Sequence, residues 1–448
     1  MKKGVDLING RPARAMFFFA LPMIIGNLFQ QFYNMADSVI VGNFVGEDAL
    51  AAVGASYSFT TVFIMVAIGG GIGSTVLVSQ YFGAKKYGKM KTAIRTFLIA
   101  FLVFSIVMAC IGFAVNPIIL RALKTPDNIY EDAVLYLQIY FIGLPFMFMY
   151  NVLAANFNAL GKSKIPLYLL LFSSVLNIVL DIWMVVEWKL GVAGVAIATV
   201  IAQGISCIIS LGILIKYLKT FEIEEEVYFF DKEMFVKGVK IAIPSIIQQS
   251  IVSIGLLLTQ SAVNRFGSSA LAGYSAGSRL ESLCIVPMIA TGNAMSTFTA
   301  QNLGAGKKER IREGYKAAIH IVIGFGMVIA LLIQIFYKPL VTAFVDASES
   351  MLAFETGASY IRFTGWFFTI LGFKTTTDGI LRGSGDVKVY MIANLVNLAI
   401  RVIVAQLGAP IFGIGIVWSV VPVGWFMNFA ISYVWYRTGN WKKRADCL

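Results

Sequence analysis

Charge is scarce in this chain. Of its 448 residues, 13% are Asp, Glu, Lys or Arg while 58% are hydrophobic, and the mean hydropathy is +0.78. That balance excludes a soluble domain of ordinary size and describes a polytopic membrane protein. Histidine is scarcer still: His320 is the one histidine of the sequence, which excludes HExxH-type metal chemistry and leaves a histidine proton relay without members. The four cysteines, Cys110, Cys207, Cys284 and Cys447, have neither disulfide nor metal-ligand spacing and read as small core residues. There is no Walker-type phosphate loop. The glycine run Gly69, Gly70, Gly71 and Gly73 falls inside an apolar span, where it serves bending or close packing. With no nucleophile and base pair and no metal-ligand set, neither an enzyme nor a cofactor is expected. An ion gradient must supply the energy for any transport, and the membrane potential contributes about 2.3 kcal/mol per charge per 100 mV.

What the chain has is apolar length. Segments of the 20-residue order that crosses about 30 Å of hydrocarbon occur twelve times: 14–43, 50–80, 92–117, 129–160, 165–187, 191–217, 234–264, 270–302, 315–337, 351–381, 388–408 and 412–436. The N-terminus, MKKGVDLINGRPARAM, is basic, but the apolar run after it outlasts a signal-peptide core and lacks a small-residue cleavage site, so no removed targeting segment is expected. With that end inside, the loops alternate in charge as Lys and Arg resisting translocation require. The inner side collects 27 of the 36 basic residues, in clusters such as Lys85, Lys86, Lys89, Lys91 and Arg95, whereas the outer side has Arg121, Lys124, Lys189, Arg265 and Lys338. The net charge of +12 therefore reports topology and contact with anionic membrane lipids, not nucleic acid. Both termini are expected in the cytoplasm.

The chain also contains itself twice. ALPMII at 20–25 recurs as AIPSII at 242–247, and VGEDALAAVGA at 45–55 as FGSSALAGYSA at 266–276. SQYFGAKK at 79–86 recurs as AQNLGAGKK at 300–308, and LGKSK at 160–164 as GSGDVK at 383–388. The division is an N-terminal six-helix lobe at 1–218, a cytoplasmic linker at 219–233 and a C-terminal six-helix lobe at 234–448. The expected fold is an all-α integral membrane protein of twelve transmembrane helices in two homologous bundles. Parallel repeats of this kind are related by a pseudo-two-fold axis along the membrane normal, with the substrate site expected between the halves. The linker run Glu222, Glu224, Glu225 and Glu226 reads as solvated chain.

Two acidic residues stand alone in this apolar background. Asp37 and Asp181 fall within the first and fifth spans, where a carboxylate costs about 2.5 to 3.5 kcal/mol on insertion scales and usually marks an ion or proton pathway. Around the first, Asn27, Gln30, Gln31, Asn34, Asp37 and Ser38 lie within an arc of roughly 120° at helical spacing. Such a face must look into a wet interior or hydrogen-bond to other helices. Asn177 lies four residues before Asp181 and shares its face. At a rise of 1.5 Å per residue, Asp37 and Asp181 come out about 9 Å below the outer end, Thr199 about 12 Å and Asn177 about 15 Å. Carboxylate, amide and hydroxyl oxygens at common depth suit a small hard cation or a shared proton, because like charges out of water favour the neutral form.

The duplication, the spacing of fourteen residues between Pro22 and Asp37, QYFGAKK after the second span, NIVLD in the fifth and GSRLESL at 277–283 resemble a multidrug and toxic compound extrusion transporter of the bacterial branch related to the DNA-damage-inducible transporter. The resemblance implies a bacterial cytoplasmic membrane, and efflux of drug-like amphipathic, often cationic, compounds in exchange for H⁺ or Na⁺. It matches Asp37, Asn177, Asp181 and Thr199 to the cation or proton site of the N-terminal half. Gln30, Asn34, Asn151, Glu281 and Asp378 are candidate cavity residues for substrate, although Lys374, four residues before Asp378, can neutralise it. Arg401 occupies the repeat position of Asn177, Thr259 that of Asp37 and Ala405 that of Asp181, so ion coupling is expected in the first half alone. Phe146, Met147, Phe148 and Met149 supply either cavity wall or core, and Pro22, Pro145, Pro244 and Pro287 are candidate bends. The mechanism expected is alternating access by a monomer. The rival is a flippase for lipid-linked saccharides or peptidoglycan precursors, against which the acidity of the first-half site argues.

Overall fold

The computed structural model describes residues 4–223, 225–345, 348 and 350–442, and within these the side chains of Ser38, Val39, Asn43, Ser58 and Leu256 lie outside the description. Glu224 of the linker and Cys447 also fall outside the described residues. Fourteen α-helices follow one another without a strand among the described residues. In chain order they are α1 (Pro12–Ile40), α2 (Glu47–Gly83), α3 (Tyr87–Ala122), α4 (Asp127–Ala159), α5 (Lys164–Ile182), α6 (Gly191–Leu218), α7 (Lys232–Asn264), α8 (Ser268–Cys284), α9 (Val286–Gly304), α10 (Lys308–Thr342), α11 (Met351–Gly365), α12 (Phe368–Gly383), α13 (Val387–Phe412) and α14 (Gly415–Thr438).

Ten of these helices are long and apolar enough to cross a membrane, and α8 with α9 forms an eleventh span bent by 40°. The pair α11 and α12 occupies the remaining expected span, 351–381. Among the described residues eleven of the twelve expected spans are thus matched by length and composition, the eighth of them broken into two helices, and the tenth corresponds to two shorter helices. Both breaks have local causes. Pro287 stands at the start of α9, where a missing N–H is tolerated at a helix beginning and not within one. Between α11 and α12, Phe367 leaves helical geometry at φ −103° and ψ 2°.

By packing the chain forms two compact units, one of residues 25–246 and the other of Met1–Ile24 with Ile247–Leu448. Their boundaries fall inside helices: within α1 two residues after Pro22, and within α7 two residues after its repeat partner Pro244. Each proline removes a backbone hydrogen bond at that point.

In the unit of residues 25–246 the core gathers on α4. Leu137, Phe141, Leu144, Met147 and Phe148 are buried there against α2 and α3, and the rings of Phe59 and Phe63 meet Phe141 edge-on at 5.6 and 5.1 Å. Met147 and Phe148 are therefore core. Polar side chains close the α2 and α4 contact, with Ser74 Oγ donating to Asn156 Oδ1 at 3.0 Å. The linker has exposed acidic side chains, as expected, yet it is fastened to α3. Lys91 Nζ donates to the Phe221 carbonyl at 3.0 Å, and the Tyr228 and Asp231 amides donate to Thr92 and Thr96. The glycines of α2 serve close packing: a Cβ on Gly69 would lie 2.7 Å from Ile246 Cα, and one on Gly73 2.5 Å from the Gly238 carbonyl oxygen.

In the other unit, Leu280, Met288, Ile361, Phe368 and Trp425 bury together around the two helix breaks. The N-terminal residues pack here too: Leu7 is buried, and its carbonyl accepts from Asn302 Nδ2 at 3.1 Å. His320 Nδ1 donates to the Lys316 carbonyl one turn back, at 2.7 Å, on an exposed helix face. Among the described cysteines, Cys110, Cys207 and Cys284 are free thiols.

The glycine contacts give a paired prediction. Gly73→Ala pushes a methyl into a backbone oxygen that cannot rotate away, and should destabilise by about 1–3 kcal/mol. Gly54→Ala, on the same helix where a Cβ meets nothing within 4 Å, should instead stabilise by up to about 1 kcal/mol. Thermal unfolding of the two purified variants checks the opposite signs.

Candidate cation and proton site

The site is built where α1 and α5 end. Each helix passes directly into a π-helical turn, Val41–Val45 after α1 and Trp183–Glu187 after α5. Such widened turns are rare and concentrate at functional sites. Asp37 lies in the last turn of α1 and Asp181 in the last turn of α5. Val41 and Val185 from the π turns join Ala49, Val192 and Val195 in a buried apolar cluster, with Tyr136 packed against it. Asp37 and Asp181 each lie one helical turn before a member of this cluster, Val41 and Val185.

All four residues expected at the site come together, and all belong to the unit of residues 25–246. The Tyr33 hydroxyl donates to Asn177 Oδ1, Asn177 Nδ2 donates to Thr199 Oγ1 at 3.4 Å, and Thr199 Oγ1 donates to the Val195 carbonyl at 3.0 Å. This chain of donors ends on the backbone, and Asn177 also stands beside the Asp181 carboxyl. Asp37 and Asp181 lie within electrostatic reach of each other and of the Tyr33 and Tyr136 hydroxyls. Asp181 is wholly buried. Both of its carboxylate oxygens, and Oδ1 of Asp37, lack a donor in good hydrogen-bond geometry, while the two carboxyls lie close enough to share a proton.

Neutral oxygens that satisfy one another, beside charged oxygens left unsatisfied, make a specific demand. A buried unpaired carboxylate costs far more than a buried hydrogen-bonded amide, so two of them call for a positive charge: a proton shared between them or a hard cation. The residues fit either. A narrow cleft of about 10 Å³, lined by Tyr136, Tyr140, Met147, Thr199 and Gln203, reaches Thr199. That is room for one water-sized species and far too little for a drug.

Tyr33 and Tyr136 are members of the site that the sequence reading passed over. Signals for both existed. Tyr33 is one helical turn before Asp37, and Tyr136 has Tyr360 as its repeat partner 224 residues on.

The other candidates separate. Gln30 Nε2 donates to Asn34 Oδ1 at 3.0 Å, so the polar stripe of α1 is internally bonded, and Asn34 and Asn27 are exposed. Asn151 Nδ2 donates to the Met147 carbonyl of its own helix. In the other unit Asp378 is saturated: Lys374 Nζ lies 3.3 Å from its Oδ2, Asn394 Nδ2 donates to the same oxygen at 3.4 Å, and Ser432 Oγ donates to Oδ1 at 2.7 Å. Lys374 also donates to Asn394 Oδ1 at 2.9 Å. Glu281 does not pair with Arg279. It accepts from the Tyr360 hydroxyl and interacts with Arg401 on α13. At the repeat positions of the two aspartates, Thr259 Oγ1 donates to the Gly255 carbonyl at 2.8 Å and Ala405 is fully buried.

Comparisons with known proteins bear on family and fold. The MatE family model matches residues 22–183 and again 244–407, one match in each repeat and both beginning at the repeat-related prolines. A curated relative, the probable multidrug resistance protein YpnP of Bacillus subtilis, is 29% identical over 98% of each chain. The FAD transporter of Shewanella oneidensis is 22% identical, covering 98% of this chain and 97% of its own. Among solved structures, a crystal structure of MATE in complex with MaL6 superposes with a TM-score of 0.90 at 21% identity over the whole of both chains.

Two expectations separate the site from the saturated cluster. Asp378→Asn takes the ion pair from buried Lys374 and should cost about 3–5 kcal/mol of stability, against about 1–3 kcal/mol for Ser432→Ala; an unchanged unfolding midpoint in Asp378→Asn would contradict the structural reading. Asp37→Asn and Asp181→Asn should behave oppositely. In alkaline, sodium-free buffer each removes a buried repulsion and should stabilise by on the order of 1–3 kcal/mol. Both should also lose the stabilisation that wild-type protein gains from added Na⁺ or acid.

Proposed function

This chain belongs to the MatE family of membrane transporters, and we propose that it exports amphipathic, often cationic, small molecules in exchange for H⁺ or Na⁺ by alternating access. It is a transporter and not an enzyme. The observation that carries the reading is the pair of carboxylates in the N-terminal lobe, Asp37 and Asp181, which face each other with too few donors to satisfy two negative charges. A site in that state takes up one positive charge when open to the side of higher ion activity and gives it up on the other side.

Each residue then has a role. Asp37 and Asp181 hold the cation or proton. Asn177 and Thr199 supply neutral oxygens at the same depth, and Tyr33 fixes the rotamer of Asn177 through its hydroxyl. Asp181 is wholly buried, so that occupancy changes the local free energy steeply. Gln30 and Asn34, on the same helix as Asp37, give a substrate polar contacts that shift when α1 does. Pro22 and Pro244, two residues before the boundaries of the compact units, are the bend points. Neutralising the carboxylate pair removes the attraction for a cationic compound, so ion and compound compete and exchange follows.

The names of relatives cover drug resistance and FAD transport. The acidity of this site favours the cationic class. On this reading the protein works as a monomer in the bacterial cytoplasmic membrane, with both termini in the cytoplasm.

Purified protein in liposomes should move a fluorescent cation against an imposed pH or sodium gradient. Asp37→Asn and Asp181→Asn should lower that movement by about 10²-fold or more, the scale of 3 kcal/mol of lost coupling. Gradient-independent movement, or undiminished movement in both variants, would remove the antiporter reading.

A further inference from the structure

Between the end of α10 and α11 runs an open groove of about 850 Å³, far from the carboxylate site in sequence and used by nothing above. Its walls are two facing helical stripes. Gln334, Tyr337 and Lys338 lie on α10, and Glu355, Arg362 and Trp366 on α11 and at its end. The groove opens at the chain end that carries few basic residues, which the charge bias makes extracytoplasmic.

Arg362 is the unusual member. It is exposed on a helix that forms part of a membrane span, where a charge is costly unless it has a partner. Its side chain is nevertheless held in place. Nε donates to Gln334 Oε1 at 3.1 Å, Gln334 Nε2 donates back to the Arg362 carbonyl at 2.8 Å, and the guanidinium lies 4.5 Å from the Tyr337 ring centroid. One bond, to an amide itself anchored on the Arg362 carbonyl, and a ring beneath the guanidinium fix the planar fork, and no acceptor for its Nη groups is found among the described residues. That is how an arginine is prepared for a phosphate or carboxylate.

The order of charges along the groove identifies the occupant. Gln334 and Arg362 are bonded and so lie at one level of two antiparallel helices. At 1.5 Å per residue, Lys338 lies about 6 Å nearer the helix ends and Glu355 about 10 Å nearer. Trp366, 59% exposed, lies on the opposite, deeper side. From the bilayer interior outward the groove therefore presents an aromatic surface, two cations and then one anion, with about 4 to 5 Å between the last two levels. A phospholipid carries its acyl chains, phosphate and headgroup ammonium in that sequence. We propose that this groove binds a phospholipid whose headgroup has both phosphate and primary ammonium, of the phosphatidylethanolamine class. Arg362 and Lys338 hold the phosphate, Glu355 the ammonium, and the acyl chains run past Trp366. The exposed tryptophan and tyrosine fit an interfacial aromatic belt. A lipid with phosphate alone leaves Glu355 facing the phosphate side uncompensated.

Native mass spectrometry of the purified protein, given equimolar dioleoyl phosphatidylethanolamine and dioleoyl phosphatidylglycerol, tests this. Wild-type protein should retain the ethanolamine lipid preferentially. Arg362→Gln should reduce that retention about tenfold or more, as for a lost hydrogen bond to a charged group, and Lys338→Gln should reduce it in the same direction. Glu355→Gln should bring the two lipids to equal retention, and Arg265→Gln, a basic residue on the same side bonded to Gln406, should change nothing. Equal retention of both lipids by wild-type protein would overturn the proposal, as would retention unaffected in both Arg362→Gln and Lys338→Gln. Displacement of the lipid by millimolar phosphoethanolamine in water would equally overturn it, since a free headgroup would then be the ligand.

Discussion

The interaction on which the rest depends is the repulsion between two carboxylates packed together with too few donors to satisfy both. Asp37 and Asp181 interact electrostatically, and three of their oxygens are buried without a donor in good hydrogen-bond geometry. In an interior of low effective dielectric that arrangement is expensive. Asn177, Thr199 and Tyr33 are bonded to one another, so the amide beside Asp181 offsets only part of the cost. In the function proposed above, the remainder drives the uptake of a positive charge.

The surrounding structure keeps that cost high. The π-helical turns after α1 and α5 bring Val41 and Val185, one turn beyond the two aspartates, into an aliphatic cluster. The cleft at Thr199 admits a water-sized species and no more. In the C-terminal repeat the corresponding positions are Thr259 and Ala405, a self-bonded hydroxyl and a methyl. There the buried charges are paired instead: Asp378 with Lys374 and two further donors, Glu281 with Tyr360 and Arg401. One lobe carries unsatisfied charge and the other satisfied charge, on the same repeated fold.

Hydropathy, charge bias and the duplication were enough to place twelve spans and to pick out Asp37 and Asp181, because a lone charge in a long apolar run is a local signal. Asn177 and Thr199 followed from depth, which helical rise converts from sequence distance. Tyr33 and Tyr136 were harder to read, since tyrosine in a membrane span has many roles and its hydroxyl partner is a matter of tertiary packing. The saturation of Asp378 was half legible: Lys374 is one turn away, but Asn394 and Ser432 come from α13 and α14. The breaks in the eighth and tenth spans were legible at Pro287 and not at Phe367, where backbone geometry departs from the helix without a proline.

The central claim is that Asp37 and Asp181 themselves exchange a proton or cation. Difference infrared spectroscopy of the carboxylic-acid C=O stretch, recorded on purified protein as pH is stepped and as Na⁺ is added, reads that event directly. A carboxyl signal should appear on acidification, diminish with Na⁺, vanish in both Asp37→Asn and Asp181→Asn, and persist in Ser432→Ala. A signal that survives both aspartate variants would contradict the account.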